Sequence, residues 1–355
     1  MEATSIQMPK NRPEKIKQFL LENIPNHPRD IVPLTARRFK VTPTTVHRHL
    51  NKLLKQGEVI KTGRTRGASY YLNSSLEKKL FFPIEPGLEE HQVWMDHFHD
   101  AFFSILPANV YSICAYGFGE MFNNAIDHSQ GTTISVKSKI EENILEIEIW
   151  DDGIGIFKKV KDALGLESER ASILELTKGK FTTDPDNHTG EGIFFTSRAV
   201  DKFFLLSSSL DYIKNNLEDD WFIETPDASV KGTRVFLEIR LNSNKKLEDI
   251  FRQYSTLDEE EGIRRFDKTH IIVKLSKLDQ DHYVSRSQAK RILTGLEKFN
   301  HIVMDFRDIK SVGQGFVDEV FRIFQSKHPK ITIQYTNANE DVRFMIERGL
   351  PSKSE

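Results

Sequence analysis

The strings GEMFNNAIDHS and IWDDGIGI occupy residues 119–129 and 149–156. In the first string Glu120 and Asn124 are four residues apart, so on a helix both side chains project from one stripe. The opposite stripe is apolar and comprises Phe118, Met121, Phe122, Ala125 and Ile126. This pattern predicts a helix that lies on a sheet and turns its polar edge toward a cleft.

Two strand-like segments, residues 132–139 and 144–150, connect that helix to Asp151. Asp151 therefore lies at a strand end, and Gly153 and Gly155 follow it. Glycine lets the backbone come close to a ligand, and a carboxylate beside such a turn suits a nucleotide pocket. We expect an α/β sandwich with helices on one face of the sheet.

Length and composition limit the functional classes. A chain of 355 residues predicts two or three domains. The 50 lysines and arginines balance 52 aspartates and glutamates, so any surface for nucleic acid must be local. One cysteine, Cys114, excludes a disulfide framework and a cysteine-rich zinc site. The absence of a signal-peptide pattern and of long apolar runs predicts a cytoplasmic protein that does not contact a membrane.

The segment 1–75 contains a helix with clear end signals. Thr42 is suited to the N-cap and Pro43 to the first turn. Val46 and Leu50 belong to its apolar stripe, which leaves the opposite face to polar and basic residues. That layout is typical of a DNA recognition helix, and its outward residues are Thr45, Arg48, Lys52 and Lys55.

Two strands, 59–61 and 68–72, follow that helix and are joined by a glycine-bounded loop that carries Arg64 and Arg66. Such a loop suits contact with a phosphate backbone or a minor groove. The segment resembles the winged helix-turn-helix domains of bacterial transcription regulators. The resemblance implies DNA binding, and the alternative is a winged helix used only for protein contacts. The expected DNA-binding residues are Thr45, Arg48, Lys52, Arg64 and Arg66.

The central segment, 76–242, carries four motifs of one superfamily. EMFNNAIDHS resembles the N-box of the GHKL ATPases, a group that includes gyrase B, MutL, histidine kinases and anti-sigma-factor serine kinases. DDGIGI is similar to the G1 box. Gly190 and Gly192 are similar to the G2 box, and Gly232 with Thr233 to a G-T pair in a late strand. Because all four occur in family order, the resemblance is strong, and it implies the Bergerat α/β sandwich.

The resemblance implies ATP and Mg²⁺ as ligands. Asn124 would be the magnesium ligand through its amide oxygen, a hard donor. Glu120 would orient and deprotonate a water or a substrate hydroxyl near the terminal phosphate. Asp151 would accept a hydrogen bond from the adenine amine.

The remaining implied contacts come from the backbone. Gly153 and Gly155 would let the chain turn under the base, and Thr233 would support the contact between Asp151 and adenine. Gly190 and Gly192 precede a helix, whose first amides favour phosphate oxygens. The polar excursion between residues 156 and 189 corresponds to the ATP lid of the superfamily.

The C-terminal part predicts a connector over 243–267 and a small α/β domain over 268–355, with strands and helices in alternation. The string VMDFRDIKSVGQGFVDEVFRIF, residues 303–324, resembles STAS domains, in particular the STAS-like modules that accompany GHKL domains. The resemblance implies a protein partner. Gln314 and Gly315 replace the serine that such antagonists phosphorylate, so we do not expect this domain to be a phosphoacceptor.

The sequence thus favours a cytoplasmic DNA-binding regulator controlled by ATP binding and slow hydrolysis. A serine/threonine kinase of the anti-sigma-factor type, acting on a partner protein, would use the same residues. A third hypothesis is an ATP sensor without turnover. The superfamily also implies an ATP-bound homodimer.

Overall fold

The computed structural model describes residues 12–62, 68–72, 77–141, 143–182, 189–224, 229–258, 262–276, 282–283 and 285–350. Within these residues the chain forms an N-terminal helical unit, a central antiparallel sheet covered by helices, and a C-terminal domain with a parallel sheet. The architecture is mixed α/β, as the sequence predicted. Among the described helices, none has both the length and the apolar character that crossing a bilayer requires.

The N-terminal unit packs three helices against an antiparallel strand pair. Thr42 caps the third helix by accepting a hydrogen bond from the Thr45 amide, and Pro43 begins that helix as predicted. Val46 and Leu50 point into a buried apolar cluster with Leu20. Its elements are α1 (Arg12–Asn23), α2 (Ile31–Phe39), α3 (Pro43–Lys55), β1 (Val59–Thr62) and β2 (Ser69–Leu72).

The central domain is built on a seven-stranded antiparallel sheet with the order β3-β4-β5-β9-β6-β7-β8. Every second side chain of its middle strands is buried, so one face of the sheet carries the core. The strands are β3 (Lys78–Pro83), β4 (Thr133–Glu141), β5 (Ile144–Asp151), β6 (Lys202–Ser208), β7 (Leu210–Asn215), β8 (Asp220–Glu224) and β9 (Val230–Arg240).

Helices cover the buried face of this sheet. The predicted apolar stripe of the long helix α6 (Ala108–His128) is confirmed, since Phe118, Met121 and Phe122 are buried. Cys114 is buried on the same helix. The other helices are α4 (Glu90–Trp94), continued by a π-helical segment (Met95–His99) into α5 (Asp100–Ile105), then α7 (Ile156–Leu164), α8 (Glu169–Lys178) and α9 (Gly192–Ala199).

The segment predicted as one long polar lid is more ordered than expected. Residues 156–182 contain α7 and α8, which bury Phe157, Val160, Ile173 and Leu174. These side chains recur at helical spacing and pack into the core, and this outweighs the polar composition of the segment. The predicted lid residues 183–188 lie outside the described residues.

The C-terminal domain contains a parallel sheet of three strands in the order β12-β14-β16. Ser285 caps its first helix in a capping box with Gln288. Its elements are β12 (Lys268–Ile272), a 3₁₀ turn (Val273–Ser276), β13 (His282–Tyr283), α11 (Arg286–Leu293), a 3₁₀ turn (Leu296–Lys298), β14 (His301–Asp305), β15 (Ser311–Val312), α12 (Gln314–Val317), a π-helical segment (Asp318–Phe324), α13 (Gln325–Lys327), β16 (Thr332–Thr336) and α14 (Glu340–Gly349).

The segment 243–267, predicted as a connector, contains helix α10 (Leu247–Tyr254) and the hairpin of β10 (Ser255–Asp258) and β11 (Ile263–Phe266). The Phe251 ring lies 4.5 Å from that of Phe195 on α9, and the Phe266 ring lies 4.7 Å from that of Phe194. Phe266 also contacts Phe299 of the C-terminal domain. One continuous apolar core therefore joins the central and C-terminal domains.

Candidate functional site

The residues predicted around the nucleotide meet at one cavity of about 280 Å³. It lies between helix α6, the end of strand β5, the first turn of α7 and the first turn of α9. The structure confirms that the two quoted strings are neighbours in space. The predicted residues that line the cavity are Glu120, Asn124, Asp151, Gly155, Gly190, Gly192 and Thr233.

Glu120 and Asn124 lie one turn apart on α6 and both line the cavity. A Cβ atom at Gly192 would lie 2.2 Å from Glu120 Oε2, so only glycine lets the start of α9 approach the carboxylate this closely. Burial raises the pKa of Tyr116, and the adjacent carboxylates of Glu120 and Glu191 raise it further. The Glu120 carboxylate is therefore held between the phenol of Tyr116 and the backbone of α9.

Asp151 is 5 % exposed at the end of β5. Its Oδ1 accepts hydrogen bonds from the amides of Gly153, at 2.9 Å, and Thr233, at 3.2 Å. Burial raises the pKa of Asp151, whereas these two amide bonds oppose that rise. One side of the carboxylate is thus fixed by backbone donors in a buried position at the cavity wall.

Glycines and a threonine hold the turn after Asp151. Gly153 does not line the cavity, but a Cβ there would meet the Ser129 carbonyl at 2.0 Å, so the turn packs tightly on the end of α6. Gly155 has a φ of 86°, which favours glycine. Thr233 Oγ1 accepts a hydrogen bond from the Ile156 amide at 2.9 Å. Thr233 therefore contacts both Asp151 and the start of α7.

Sequence reasoning missed the role of Asp152. Its carboxylate accepts hydrogen bonds from the amides of Thr132 and Thr133, at 2.7 and 3.0 Å, and from the Thr132 hydroxyl at 2.8 Å. The Thr132 amide is the main reason that the pKa of Asp152 falls to about 2. Asp152 therefore ties the turn after β5 to the start of β4. The sequence feature that could have indicated this role is the second aspartate, directly after Asp151.

Further cavity residues were also missed, notably Lys159, Phe181, Thr182 and Glu191. Burial raises the pKa of Glu191, and the Lys180 ammonium opposes that rise. Lys159 lies three residues after Ile156, another lining residue, so helical spacing could have placed both on one face. The sequence analysis treated residues 156–189 as one polar lid, and helix α7 within that segment was therefore not predicted.

Comparison with protein families assigns the central and C-terminal parts. Residues 116–243 match the family of histidine kinase-, DNA gyrase B-, and HSP90-like ATPases. The central domain is a GHKL ATPase domain. This match supports an activity of the ATPase or kinase type. Residues 288–343 match a STAS-like domain of unknown function. A search of curated proteins finds no match to the chain.

The predicted DNA-binding residues lie partly within the described structure. Arg48 and Lys52 are exposed on α3, one turn apart, and neither forms an ion pair with any residue in the described part of the chain. Thr45 is half-buried, and its hydroxyl lies 3.0 Å from that of Thr42. Burial lowers the pKa of His49, and the charges of Arg48 and Lys52 lower it further. Arg64 and Arg66 lie outside the described residues.

Proposed function

We propose that this protein is an ATP-dependent DNA-binding regulator, in which ATP and Mg²⁺ binding with slow hydrolysis controls the binding of DNA or of a protein partner. The observation that carries the proposal is the convergence of Glu120, Asn124 and Asp151 on one cavity of a GHKL ATPase domain. Each residue type suits one part of the nucleotide.

Asp151 accepts a hydrogen bond from the adenine amine, because its carboxylate already lies beside the cavity with one oxygen held by two amides. Thr233 keeps this carboxylate in place from strand β9. The amides at the start of α9 favour phosphate oxygens, and Gly190 and Gly192 allow the close approach. The base and the phosphates thus occupy different walls of the cavity.

Glu120 is the proposed general base. It accepts a proton from a water molecule whose oxygen attacks the terminal phosphorus, while the bond from that phosphorus to the bridging oxygen of ADP breaks. Asn124 offers a carboxamide oxygen one turn away and would hold Mg²⁺. The ion, when bound, neutralises phosphate charge.

A second set of contacts supports coupling between nucleotide and C-terminal domain. Leu176, Phe181 and Thr182 line the cavity, and Lys178 and Lys180 between them contact the C-terminal domain. The buried ammonium of Lys178 donates to the Thr294 carbonyl at 2.8 Å, and the Thr269 hydroxyl donates to the Lys178 carbonyl at 2.7 Å. One segment therefore faces the nucleotide pocket on one side and the STAS-like domain on the other.

Lys180 extends this junction. Its ammonium donates to the Lys298 carbonyl at 3.0 Å and lies 4.8 Å from the centre of the Phe299 ring. Lys180 also acts electrostatically on Glu191 at the cavity. Phosphates near Glu191 change the field at Lys180, so we propose that nucleotide binding alters this junction, which would expose or hide the surface that a protein partner recognises.

The proposal is tested by incubating the protein with ATP and Mg²⁺ and following ADP, free phosphate and intact protein mass. We expect free phosphate, and its loss in Glu120→Gln with nucleotide affinity retained. Glu169→Gln, an exchange at the first residue of α8, is the matched control. Phosphate on an added or endogenous protein would indicate the kinase. Bound ATP without any product would indicate a sensor.

A further inference from the structure

The electrostatic lining of the cavity is unbalanced. Three carboxylates line it, from Glu120, Asp151 and Glu191. Lys159 is the only lysine or arginine among the described residues that line the same cavity. A polyanionic nucleotide entering this space would meet mainly negative side chains unless a cation is supplied. Lys159 is therefore the natural place to look for a phosphate contact.

Lys159 is held in a defined position. Helix α7 begins directly after Gly155, and the Ile156 amide is fixed by Thr233 Oγ1 at 2.9 Å. Phe157 is fully buried, and its carbonyl accepts a hydrogen bond from the Ser172 hydroxyl at 2.8 Å. Because the first turn of α7 is anchored on these sides, the Lys159 side chain starts from a rigid support.

The surroundings of the Lys159 ammonium leave most of its capacity unused. Its hydrogen bond runs to the His128 carbonyl at 2.8 Å, a neutral acceptor, whereas an ammonium has three donors. No carboxylate in the described part of the chain forms an ion pair with it. Burial lowers the pKa of Lys159, and the more distant Asp127 carboxylate opposes this. A half-buried cation with one neutral partner gains from an anion.

His128 follows Asn124 by one turn of α6, on the side away from Glu120, so the Lys159 ammonium contacts the α6 backbone one turn beyond the proposed magnesium ligand. Building on the proposed ATP site, we propose that Lys159 binds a phosphate group of the nucleotide and so makes the cavity select nucleotides over nucleosides. The ammonium can keep its bond to the His128 carbonyl while its other donors contact phosphate oxygens. Lys159 is thus a substrate-binding residue outside the predicted motifs.

The experiment measures equilibrium binding of ATP, ADP and adenosine, each with Mg²⁺, to the full chain and to Lys159→Met. We expect the affinities for ATP and ADP to fall about tenfold to hundredfold, as for a lost hydrogen bond to a charged group, and the affinity for adenosine to stay unchanged. Lys158→Met is the matched control, because the neighbouring Lys158 is exposed and paired with Asp162. Asp151→Asn should weaken all three ligands.

Unchanged ATP affinity in Lys159→Met would overturn the inference while leaving the ATP site intact. An equal loss for all three ligands would also overturn it, because that result indicates a packing role. If the unsubstituted protein does not bind ATP, both this inference and the proposed function fail. Should Lys159→Met not fold, Lys159→Arg and Lys159→Gln decide instead. The inference requires that arginine retains the preference for ATP over adenosine and that glutamine loses it.

Discussion

The two ends of the chain are attached to the ATPase domain in different ways. The N-terminal unit has its own buried cluster, which includes Leu20 and Leu50, and adds Ile60 to the core of the ATPase domain. The C-terminal domain instead shares one core with the ATPase domain, and Phe266 contacts rings from both. Because the residues of one core support each other, we expect the C-terminal domain and the nucleotide pocket to unfold as one cooperative unit. The N-terminal unit keeps most of its buried apolar residues in a cluster of its own and joins the shared core through Ile60.

The largest expected effect comes from the shared core. Phe266→Ala should lower the free energy of unfolding of the central and C-terminal domains by about 3–5 kcal/mol, because it leaves a cavity among aromatic rings. The three tryptophans, Trp94, Trp150 and Trp221, all lie in the central domain, so their fluorescence reports its unfolding in urea. Leu50→Ala should instead shift the circular dichroism of the N-terminal helices without moving the tryptophan transition. If both variants shift the tryptophan transition and the circular-dichroism transition equally, the N-terminal unit and the shared core do not unfold separately.

The buried charge at the junction comes next. Lys178 is 3 % exposed at its side chain and pairs with Glu175 at 2.7 Å. Lys178→Met should cost about 3 kcal/mol of stability, because Glu175 is left without its partner. Urea titration followed by tryptophan fluorescence measures this, with Lys158→Met as the exposed control. Adding Glu175→Leu should recover stability. If the double variant is as unstable as Lys178→Met alone, the unpaired Glu175 carboxylate does not explain the loss of stability.

Nucleotide should act on one unit only. At ATP concentrations about 100 times the dissociation constant, the cooperative unit should gain about 2.7 kcal/mol of stability. The unfolding of the N-terminal helices should not move. Urea titrations with and without ATP and Mg²⁺, followed by fluorescence and circular dichroism, measure the two units separately. Equal shifts of both signals would mean that the N-terminal unit also senses the nucleotide.

Asp152 predicts a smaller, pH-dependent effect inside the cooperative unit. Its folded pKa of about 2 lies below its usual value, so its contribution is present near neutral pH and is lost as pH falls toward 2. Since the side chain is partly exposed, Asp152→Asn should cost only about 1 kcal/mol at pH 6. The difference from the unsubstituted protein should shrink at pH 3. Asp162→Asn, at an exposed carboxylate, is the control, and a constant difference would contradict the role.

The smallest stability effect is expected at the surface of the N-terminal unit. Arg48→Ala combined with Lys52→Ala should change stability by less than about 0.5 kcal/mol. The same variant should weaken DNA binding and reduce the salt dependence of the binding constant by about two ion equivalents. Lys15→Ala, an exposed change on α1, serves as the control. An unchanged salt slope would count against DNA contact by α3.

The sequence predicted the residues that line the cavity better than the elements around it. Glu120, Asn124 and Asp151 were found because the motif spacing fixes their helix and strand positions. Lys159 and the helices over 156–178 were missed. The segment is polar in composition, and which of its few apolar residues are buried depends on contacts with distant parts of the chain. The packing of residues 243–267 depends on Phe251 and Phe266 meeting α9, a long-range contact without a local signal.

The central sheet also has a mechanical consequence. Its seven strands place β3, the strand that follows the N-terminal unit, at one edge and β8, which contacts the C-terminal domain through Asp220 and Lys274, at the other. With about 20° of rotation between neighbours, the six steps across the sheet turn the two edges by about 120° relative to each other. A change of twist at the step between β5 and β9, the two middle strands beside the cavity, would rotate one half of the sheet relative to the other and with it the domains attached at the two edges.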